Sequence, residues 1–218
     1  VIEGKTSLQT TLTNTGKALS NTGIYLYNSL NAKNLSSLNN SGDVYVNLNA
    51  SDSLSEISVA DLINNSGAYL YLGNNASFNQ TGLVSKNAGE IYVQGNGSVP
   101  LKTSINFTKL DNSGGTLNVD AATLNFSNNY QHTGKLNAMN SAAVNAKAHF
   151  LYSSTGEVNL YNSDLKAKSL TNQNEIKTSG ISKIAAETKL VNNKLIHSLG
   201  TLFIDTAALT NVAKSGII

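Results

Sequence analysis

The stretch Asn39-Asn40-Ser41-Gly42-Asp43-Val44-Tyr45-Val46 contains the pattern that repeats along the whole chain. A turn of asparagine, serine and glycine leads into a segment with apolar residues at every second position, which indicates a β-strand with one buried face. The same pattern returns at glycines that lie 16 to 25 residues apart. These glycines are Gly23, Gly42, Gly67, Gly89, Gly114, Gly134, Gly156, Gly180, Gly200 and Gly216. Such a period, with turns and short strands, is typical of a solenoid.

Each repeat contains room for three short strands, since a second apolar pair and a third apolar run follow the first strand. We therefore predict an all-β fold, a right-handed parallel β-helix of about nine to ten coils. The repeat runs through residues 1–218, which predicts a single β-helix segment. Both ends of the sequence fall within the repeat, and we expect the segment to be part of a longer chain.

Asparagine and glycine at the turns lead to further structural predictions. In stacked parallel strands, equivalent asparagines can form amide ladders, and glycine suits corners with positive φ. Two irregular stretches, residues 47–66 and 94–108, are predicted to leave the rod as loops. Residues 182–190 have mild helix propensity, but the repeat favours strand and turn there.

The composition argues against several classes of partner and site. All 15 basic residues are lysine and the net charge is only +2, so the chain lacks the arginine best suited to phosphate and base recognition. We expect no nucleic-acid partner. The absence of cysteine excludes a disulfide scaffold and cysteine-bound metals.

The titratable residues show no motif for catalysis or for metal binding. His132, His149 and His197 are far apart in the repeat and are interpreted as ordinary surface or turn residues. Asp43 and Glu90 share a position two coils apart, and the adjacent-coil residues Lys135 and Glu157 are expected to face each other. We predict no catalytic residue, no metal site and no cofactor.

Tyrosines in the first strand of four successive coils are the strongest functional signal. The strands read Tyr25-Leu26-Tyr27, Val44-Tyr45-Val46, Tyr69-Leu70-Tyr71 and Ile91-Tyr92-Val93. In one register the outward residues are Leu26, Tyr45, Leu70 and Tyr92. If the first and third coils shift by one residue, they are Tyr25, Tyr27, Tyr45, Tyr69, Tyr71 and Tyr92. Either stripe predicts a face that binds a partner, although stacking between coils would also explain these residues.

The later repeats carry a family resemblance. Ser154-Thr155-Gly156-Glu157-Val158-Asn159-Leu160-Tyr161-Asn162-Ser163-Asp164-Leu165-Lys166-Ala167 and Thr133-Gly134-Lys135-Leu136-Asn137-Ala138-Met139-Asn140 resemble the haemagglutinin repeats of two-partner-secretion exoproteins. That family includes filamentous haemagglutinins and the toxin-delivering proteins of contact-dependent growth inhibition. The likeness covers about residues 14–216, and the N-terminal half departs from it by its tyrosine-rich strands and irregular coil lengths.

The resemblance implies a secreted protein of the bacterial cell surface whose β-helix is a stalk or binds a receptor. The implied partners are an outer-membrane or cell-surface receptor on a target cell, protein or glycan, and an outer-membrane transporter for export. A toxin or effector region would lie elsewhere in such a protein. The alternative is a carbohydrate-active β-helix enzyme, a tailspike-like glycosidase or polysaccharide lyase, which would need carboxylates clustered in a groove. We expect a non-enzymatic protein.

Overall fold

The computed structural model describes residues 2–3, 11–16, 23–27, 31–49, 53–97 and 103–212. Within these residues the chain forms 23 strands and no helix. In chain order the strands are β1 (Ile2–Glu3), β2 (Thr11–Asn14), β3 (Ile24–Tyr27), β4 (Asn31–Asn40), β5 (Asp43–Val46), β6 (Ser55–Asn64), β7 (Tyr69–Leu72), β8 (Ala76–Gln80), β9 (Ser85–Asn87), β10 (Glu90–Gln94), β11 (Ser104–Phe107), β12 (Thr116–Asp120), β13 (Thr123–Phe126), β14 (Tyr130–His132), β15 (Lys135–Met139), β16 (Ala143–Tyr152), β17 (Glu157–Tyr161), β18 (Asp164–Asn172), β19 (Ile176–Ser179), β20 (Ile181–Asn192), β21 (Ile196–Ser198), β22 (Thr201–Thr206) and β23 (Leu209–Asn211).

These strands stack into two parallel sheets that run the length of the solenoid. The first sheet has ten strands in the order β1-β3-β5-β7-β10-β12-β15-β17-β19-β21. The repeated glycines from Gly42 to Gly156 precede strands of this sheet, whereas Gly180 and Gly200, which were predicted to begin equivalent repeats, precede β20 and β22 of the second sheet. The second has 13 strands, led by β2-β4-β6-β8-β11-β13-β16-β18-β20-β22. Every strand pairs with the equivalent strand of a neighbouring coil, which gives a β-solenoid of about nine turns and confirms the predicted β-helix.

In several coils two of the three expected strands are joined into one long strand. Long strands of the second sheet contain a register shift, between Ala146 and His149 in β16 and between Ala167 and Ser169 in β18. In other coils the same path is divided into two strands, so that β13 pairs with the first part of β16 and β14 with its last part. The bulge therefore marks the edge between the second and third faces of the coil.

Both segments that were predicted to leave the rod as loops contain a strand, so the prediction was wrong for residues 55–64 and 104–107, whereas residues 47–49, 53–54 and 95–97 lie outside the strands as expected. Ser55–Asn64 is β6, which pairs with β4 and β8, and Ser104–Phe107 is β11, which pairs with β8 and β13. The charged residues of β6 lie on its partly exposed positions while Ile57 and Val59 are buried, so the segment keeps strand alternation. Residues 98–102, including Pro100, lie outside the described residues. The strand prediction for residues 182–190 is confirmed by β20.

The core is one continuous apolar column, because the inward positions of successive coils lie in register. In the first sheet Val44, Leu70, Ile91 and Leu117 follow one another and are almost fully buried. In the second sheet Phe107 pairs with Phe126, and their rings stack with centroids 6.1 Å apart. A single coil buries too little apolar surface to fold alone, so this shared column holds the coils together.

An asparagine ladder closes one corner of the solenoid, as predicted. The side-chain amide of each asparagine donates to the Oδ1 of the next at 2.7–2.9 Å. The ladder comprises Asn14, Asn40, Asn64, Asn87 and Asn112, all of them buried. A second stretch joins Asn172, Asn192 and Asn211 at the same corner. Each buried amide is thus satisfied by its neighbours, which is what makes a polar column tolerable inside the rod.

His132 and Tyr152 fill the gap between the two asparagine stretches. His132 is fully buried, so its interpretation as a surface or turn residue was wrong. Its Nε2 lies 3.0 Å from the carbonyl oxygen of Glu157 and therefore donates, while Nδ1 accepts from the Tyr130 hydroxyl at 3.1 Å. Burial lowers the pKa of His132 to about 4, so the ring is neutral at neutral pH.

Several of the repeated glycines allow the backbones of neighbouring coils to approach each other closely. Positive φ occurs at Gly67, Gly114 and Gly180 among those that begin a repeat, which confirms the corner prediction at these three positions. At Gly134 an added Cβ would collide with the backbone oxygens of Asn112 and Gly115 in the preceding coil. Glycine is needed there because two backbones pass each other without room for a side chain.

Candidate functional site

The first sheet presents the tyrosines of its early coils on the outside of the rod. Val44, Val46, Leu70 and Leu72 are buried, so the residues between them face outward. Leu26 is also buried, which excludes the register that placed Leu26 and Leu70 on the surface. The shifted register is the one observed, with Tyr25, Tyr45, Tyr69, Tyr71 and Tyr92 partly exposed. Tyr27 belongs to β3, but its side chain lies outside the described part of the structure.

Four of these tyrosines form one column along the solenoid axis. Tyr25 pairs with Tyr45, Tyr45 with Tyr71, and Tyr71 with Tyr92, each in the next coil. Tyr69 lies two residues to one side, in register with Asp43 and Glu90. We call these five residues the tyrosine ladder. Because neighbouring parallel strands are about 4.8 Å apart, equivalent side chains in adjacent coils are forced into contact.

The rings of the tyrosine ladder contact one another continuously. Tyr25 and Tyr45 are stacked, with centroids 5.2 Å apart and planes inclined by 10°. Tyr71 and Tyr92 are stacked at 5.9 Å and 18°. Tyr45 connects the two pairs through a tilted contact of 5.9 Å with Tyr71. Each such aromatic contact contributes about 0.5–1.5 kcal/mol beyond its buried area, so the ladder also stabilises the stack.

Two phenol groups of the ladder make specific hydrogen bonds. The Tyr71 hydroxyl donates to Oε1 of Gln94 at 2.7 Å, and the Tyr92 hydroxyl donates to Oδ2 of Asp120 at 3.1 Å. Burial, followed by the charge of Asp120, raises the pKa of Tyr92 to about 12. Burial and the charge of Glu90 also raise the pKa of Tyr69. Tyr69 and Tyr92 are therefore uncharged at neutral pH.

Carboxylates lie on both sides of the ladder. Asp43 and Glu90 are in register with Tyr69 on one side, and Asp120 lies on the other side beyond Tyr92. This confirms that Asp43 and Glu90 share a position two coils apart. Glu90 also accepts a 2.7 Å hydrogen bond from the amide of Asn118. Strands β5, β7, β10 and β12 contain no lysine, so the face combines aromatic rings with negative charge.

The ladder ends at an external column of asparagines. Asn118, Asn137 and Asn159 continue the column below Tyr92, as the repeat predicted. Their amides donate along the column at 2.7 and 2.8 Å. Beside them, Lys135 and Glu157 form the predicted ion pair, with 3.5 Å between Nζ and Oε2. The column of stacked tyrosines is therefore confined to the first half of this sheet.

A second surface feature, a groove of about 440 Å³, lies on the outer face of the second sheet near β18, β20 and β22. Its carboxylates include Glu187 and Asp205, which are paired with Lys166 at 3.4 Å and with Lys183 at 2.9 Å. Both carboxylates are more than half exposed. A glycosidase needs a carboxyl group that is kept protonated in a sheltered site to act as the general acid, whereas these two carboxylates are exposed and paired with lysine.

Among the described residues, no three histidine, aspartate or glutamate side chains are grouped closely enough to hold a metal ion. No helix long and apolar enough to cross a membrane occurs in the described ranges.

Sequence reasoning proposed the tyrosines but missed Asp120 and Gln94 as their hydrogen-bond partners. Gln94 and Asp120 are the last residues of β10 and β12, and only the register between coils places them next to the ladder.

We compared the chain with models of known protein families, with curated proteins and with solved structures, and none of the three comparisons found a match.

Proposed function

We propose that the chain is a non-enzymatic β-helical segment of a large secreted bacterial surface exoprotein, in which it serves as a rod and binds a receptor on a target cell. The solenoid fold and the resemblance of its repeats to haemagglutinin repeats support the rod. The observation that carries the binding role is the outward tyrosine ladder in the first half of the first sheet.

The composition of this face favours a protein interface. Tyrosine supplies a large contact area with few rotatable bonds and is enriched at binding hot spots. The later coils, which have the same backbone, carry Asn118, Asn137 and Asn159 in the equivalent column. Since the asparagine column stacks equally regularly, the solenoid does not require aromatic residues at this position. Their concentration in four coils therefore points to recognition.

The chemistry of the face favours a cationic protein surface over a glycan. Sugars pack against the faces of aromatic rings, but the faces within the Tyr25–Tyr45 and Tyr71–Tyr92 pairs cover each other. Ring edges and the partly exposed carboxylates of Glu90 and Asp120 remain for a partner. Lysine and arginine side chains can pack their aliphatic parts against the rings and pair with these carboxylates.

Export and delivery complete the proposal. A chain without cysteine forms no disulfides that would obstruct passage in an unfolded state through an outer-membrane transporter. The rod then folds by stacking coil on coil, since each coil is stabilised by its neighbour. In a protein of this kind the segment would hold a binding face away from the producing cell, whether for adhesion or for contact-dependent toxin delivery.

The test is attachment of the labelled segment to a panel of Gram-negative bacteria. Replacing Tyr45 and Tyr92 by serine should weaken attachment at least about tenfold, because one ring of each stacked pair is removed. Tyr161→Ser is the matched control, since Tyr161 is an exposed tyrosine of the same sheet outside the ladder. Circular dichroism of both variants checks the fold. Equal attachment of the double variant and the wild type would contradict a binding role of the ladder.

Salt dependence tests the partner chemistry separately. If carboxylates of this face pair with cationic side chains, attachment should weaken as salt screens them. Replacing Glu90 by glutamine should reduce both attachment and its dependence on salt. Attachment that depends on the tyrosines but not on salt would favour a neutral partner such as a glycan.

A further inference from the structure

We propose that the stacked pairs Tyr25–Tyr45 and Tyr71–Tyr92 are sites of oxidative dityrosine cross-linking that join neighbouring coils covalently. In both pairs the rings are nearly parallel, with centroids 5.2 and 5.9 Å apart. A dityrosine bond forms between ring carbons next to the hydroxyl-bearing carbon, so two stacked phenols with aligned backbones need only a small approach to couple.

The solenoid holds each pair ready for coupling. The partners are in register on adjacent parallel strands, which fixes the distance between their backbones at about 4.8 Å. All four side chains are partly exposed, so an oxidant in solution can reach them. Two tyrosyl radicals in one pair therefore meet without diffusion of the chain, which raises their effective concentration strongly.

Asp120 gives Tyr92 a built-in proton acceptor. Oxidation of a phenol by one electron makes its proton strongly acidic, and the Tyr92 hydroxyl already donates to Oδ2 of Asp120 at 3.1 Å. The other carboxylate oxygen, Oδ1, accepts a 2.7 Å hydrogen bond from the Asn140 amide, which orients the group. Asp120 is thus a positioning residue that should make Tyr92 the first tyrosine of its pair to be oxidised.

The reaction balances with a haem peroxidase and hydrogen peroxide as the oxidant. Tyr92 and Tyr71 each lose one electron to the enzyme and one proton, that of Tyr92 passing to Asp120 and then to water. The two radicals form one carbon–carbon bond between their rings, and the hydrogen on each coupled carbon moves to its phenol oxygen. Hydrogen peroxide takes up both electrons and both protons and yields two molecules of water.

The cross-link would join neighbouring coils covalently, which this chain cannot do through disulfides. The chain contains no cysteine, so no disulfide can join its coils. Each dityrosine would close a loop of about one coil and restrict the unfolded chain in the way that a disulfide does. Coils that carry the binding face would then resist unfolding.

Treatment of the purified segment with horseradish peroxidase and hydrogen peroxide tests the proposal. Peptide mapping by mass spectrometry should find monomeric protein in which the peptides of Tyr71 and Tyr92 are joined with the loss of two hydrogen atoms, and likewise those of Tyr25 and Tyr45. The yield should not depend on protein concentration. Tyr92→Phe should remove the first link and keep the second, and Tyr161→Phe should remove neither, because Tyr161 has no ring contact among the described residues.

A slower Tyr71–Tyr92 reaction in Asp120→Asn, with an unchanged Tyr25–Tyr45 reaction and an unchanged circular dichroism spectrum, would support the positioning role. That variant should also shift the pH profile of the Tyr71–Tyr92 rate. Products confined to intermolecular dimers, or peptides of positions 71 and 92 that are still joined in Tyr92→Phe, would overturn the proposal. Neither result depends on whether the ladder binds a receptor.

Discussion

The side-chain amide of Asn64 donates a 2.8 Å hydrogen bond to Oδ1 of Asn87, its equivalent in the next coil. Asn64 Oδ1 in turn accepts from the amide of Asn40 at 2.8 Å. Both contacts are buried, so neither asparagine can exchange its partner for water. The corner of the solenoid therefore depends on an unbroken series of side-chain amides.

Replacing Asn64 by alanine should lower the free energy of unfolding by about 3 kcal/mol. The change leaves a buried donor of Asn40 and a buried acceptor of Asn87 without this partner, and each such loss costs about 1–3 kcal/mol. Urea unfolding followed by circular dichroism measures the effect.

Asn125→Ala is the control, because Asn125 belongs to a partly exposed series of amide hydrogen bonds with Asn106 and Asn145 on the outer face of the second sheet. It should cost about 1 kcal/mol or less, since water replaces its bonds. Equal losses in the two variants would contradict the argument.

Gly134→Ala should destabilise the protein more than Gly67→Ala does. A methyl group on Gly134 would meet backbone oxygens of Asn112 and Gly115, which cannot move without disturbing the preceding coil. Gly67 has positive φ but open space around it, so alanine there costs about 1–2 kcal/mol of backbone strain. Thermal unfolding of the two variants compares them directly. A larger loss in Gly67→Ala would show that φ, rather than close approach, explains the repeated glycine.

Much of the fold could be predicted because the repeat uses local rules. Val44 and Val46 alternate as a strand requires, and Asn40 precedes Gly42 by two residues, as Asn87 precedes Gly89. His132 stands in the same place before Gly134, and this spacing was the signal that it belongs to the buried corner. Histidine was interpreted by its polarity rather than by its position in the repeat, and its burial was missed for that reason.

The site was less predictable because it depends on the register between coils of unequal length. The sequence showed tyrosines at both outer positions of β7, but only the ladder pairing places Tyr71 between Tyr45 and Tyr92 and leaves Tyr69 to the side. Similarly, β6 was missed because Glu56 and Asp61 resembled loop residues. Their neighbours Ile57 and Val59 are buried, and outward charges cost a strand little.

His132 should make stability depend on pH in a range where few other groups titrate. Its pKa is lowered by burial to about 4 in the folded protein, against 6.5 when exposed. The unfolded chain therefore binds a proton first as the pH falls, and stability decreases below about pH 6.5 until the folded histidine also titrates. Between pH 7 and pH 5 the free energy of unfolding should fall by about 2 kcal/mol on account of His132.

Urea unfolding at several pH values measures this loss, and His132→Asn is the matched control. Asparagine occupies the equivalent corner position in other coils and does not titrate. The fall in the free energy of unfolding between pH 7 and pH 5 should therefore be about 2 kcal/mol smaller in this variant. The carboxyl groups of Asp111 and Glu157 also have lowered pKa values, because of hydrogen bonds from Ser113 and Asn159 respectively. They lose their contribution at lower pH, outside this range. An unchanged pH dependence in His132→Asn would contradict the prediction.

Phe126→Ala should divide the cooperative unfolding of the rod. The Phe126 ring stacks on Tyr130 at 3.7 Å and contacts both Phe107 and Phe150, so it connects three successive coils. Its loss leaves a cavity that costs about 3–5 kcal/mol. Because each coil is stabilised only by its neighbours, a weak coil in the middle should let the two halves unfold separately. Hydrogen exchange should show that the backbone amides of β11, β13 and β16 are the first to exchange faster.

Phe203→Ala, at an exposed position of β22, is the control and should leave exchange in those strands unchanged. A single two-state transition in Phe126→Ala, with uniformly faster exchange along the chain, would mean that stability is shared over the whole rod rather than between adjacent coils.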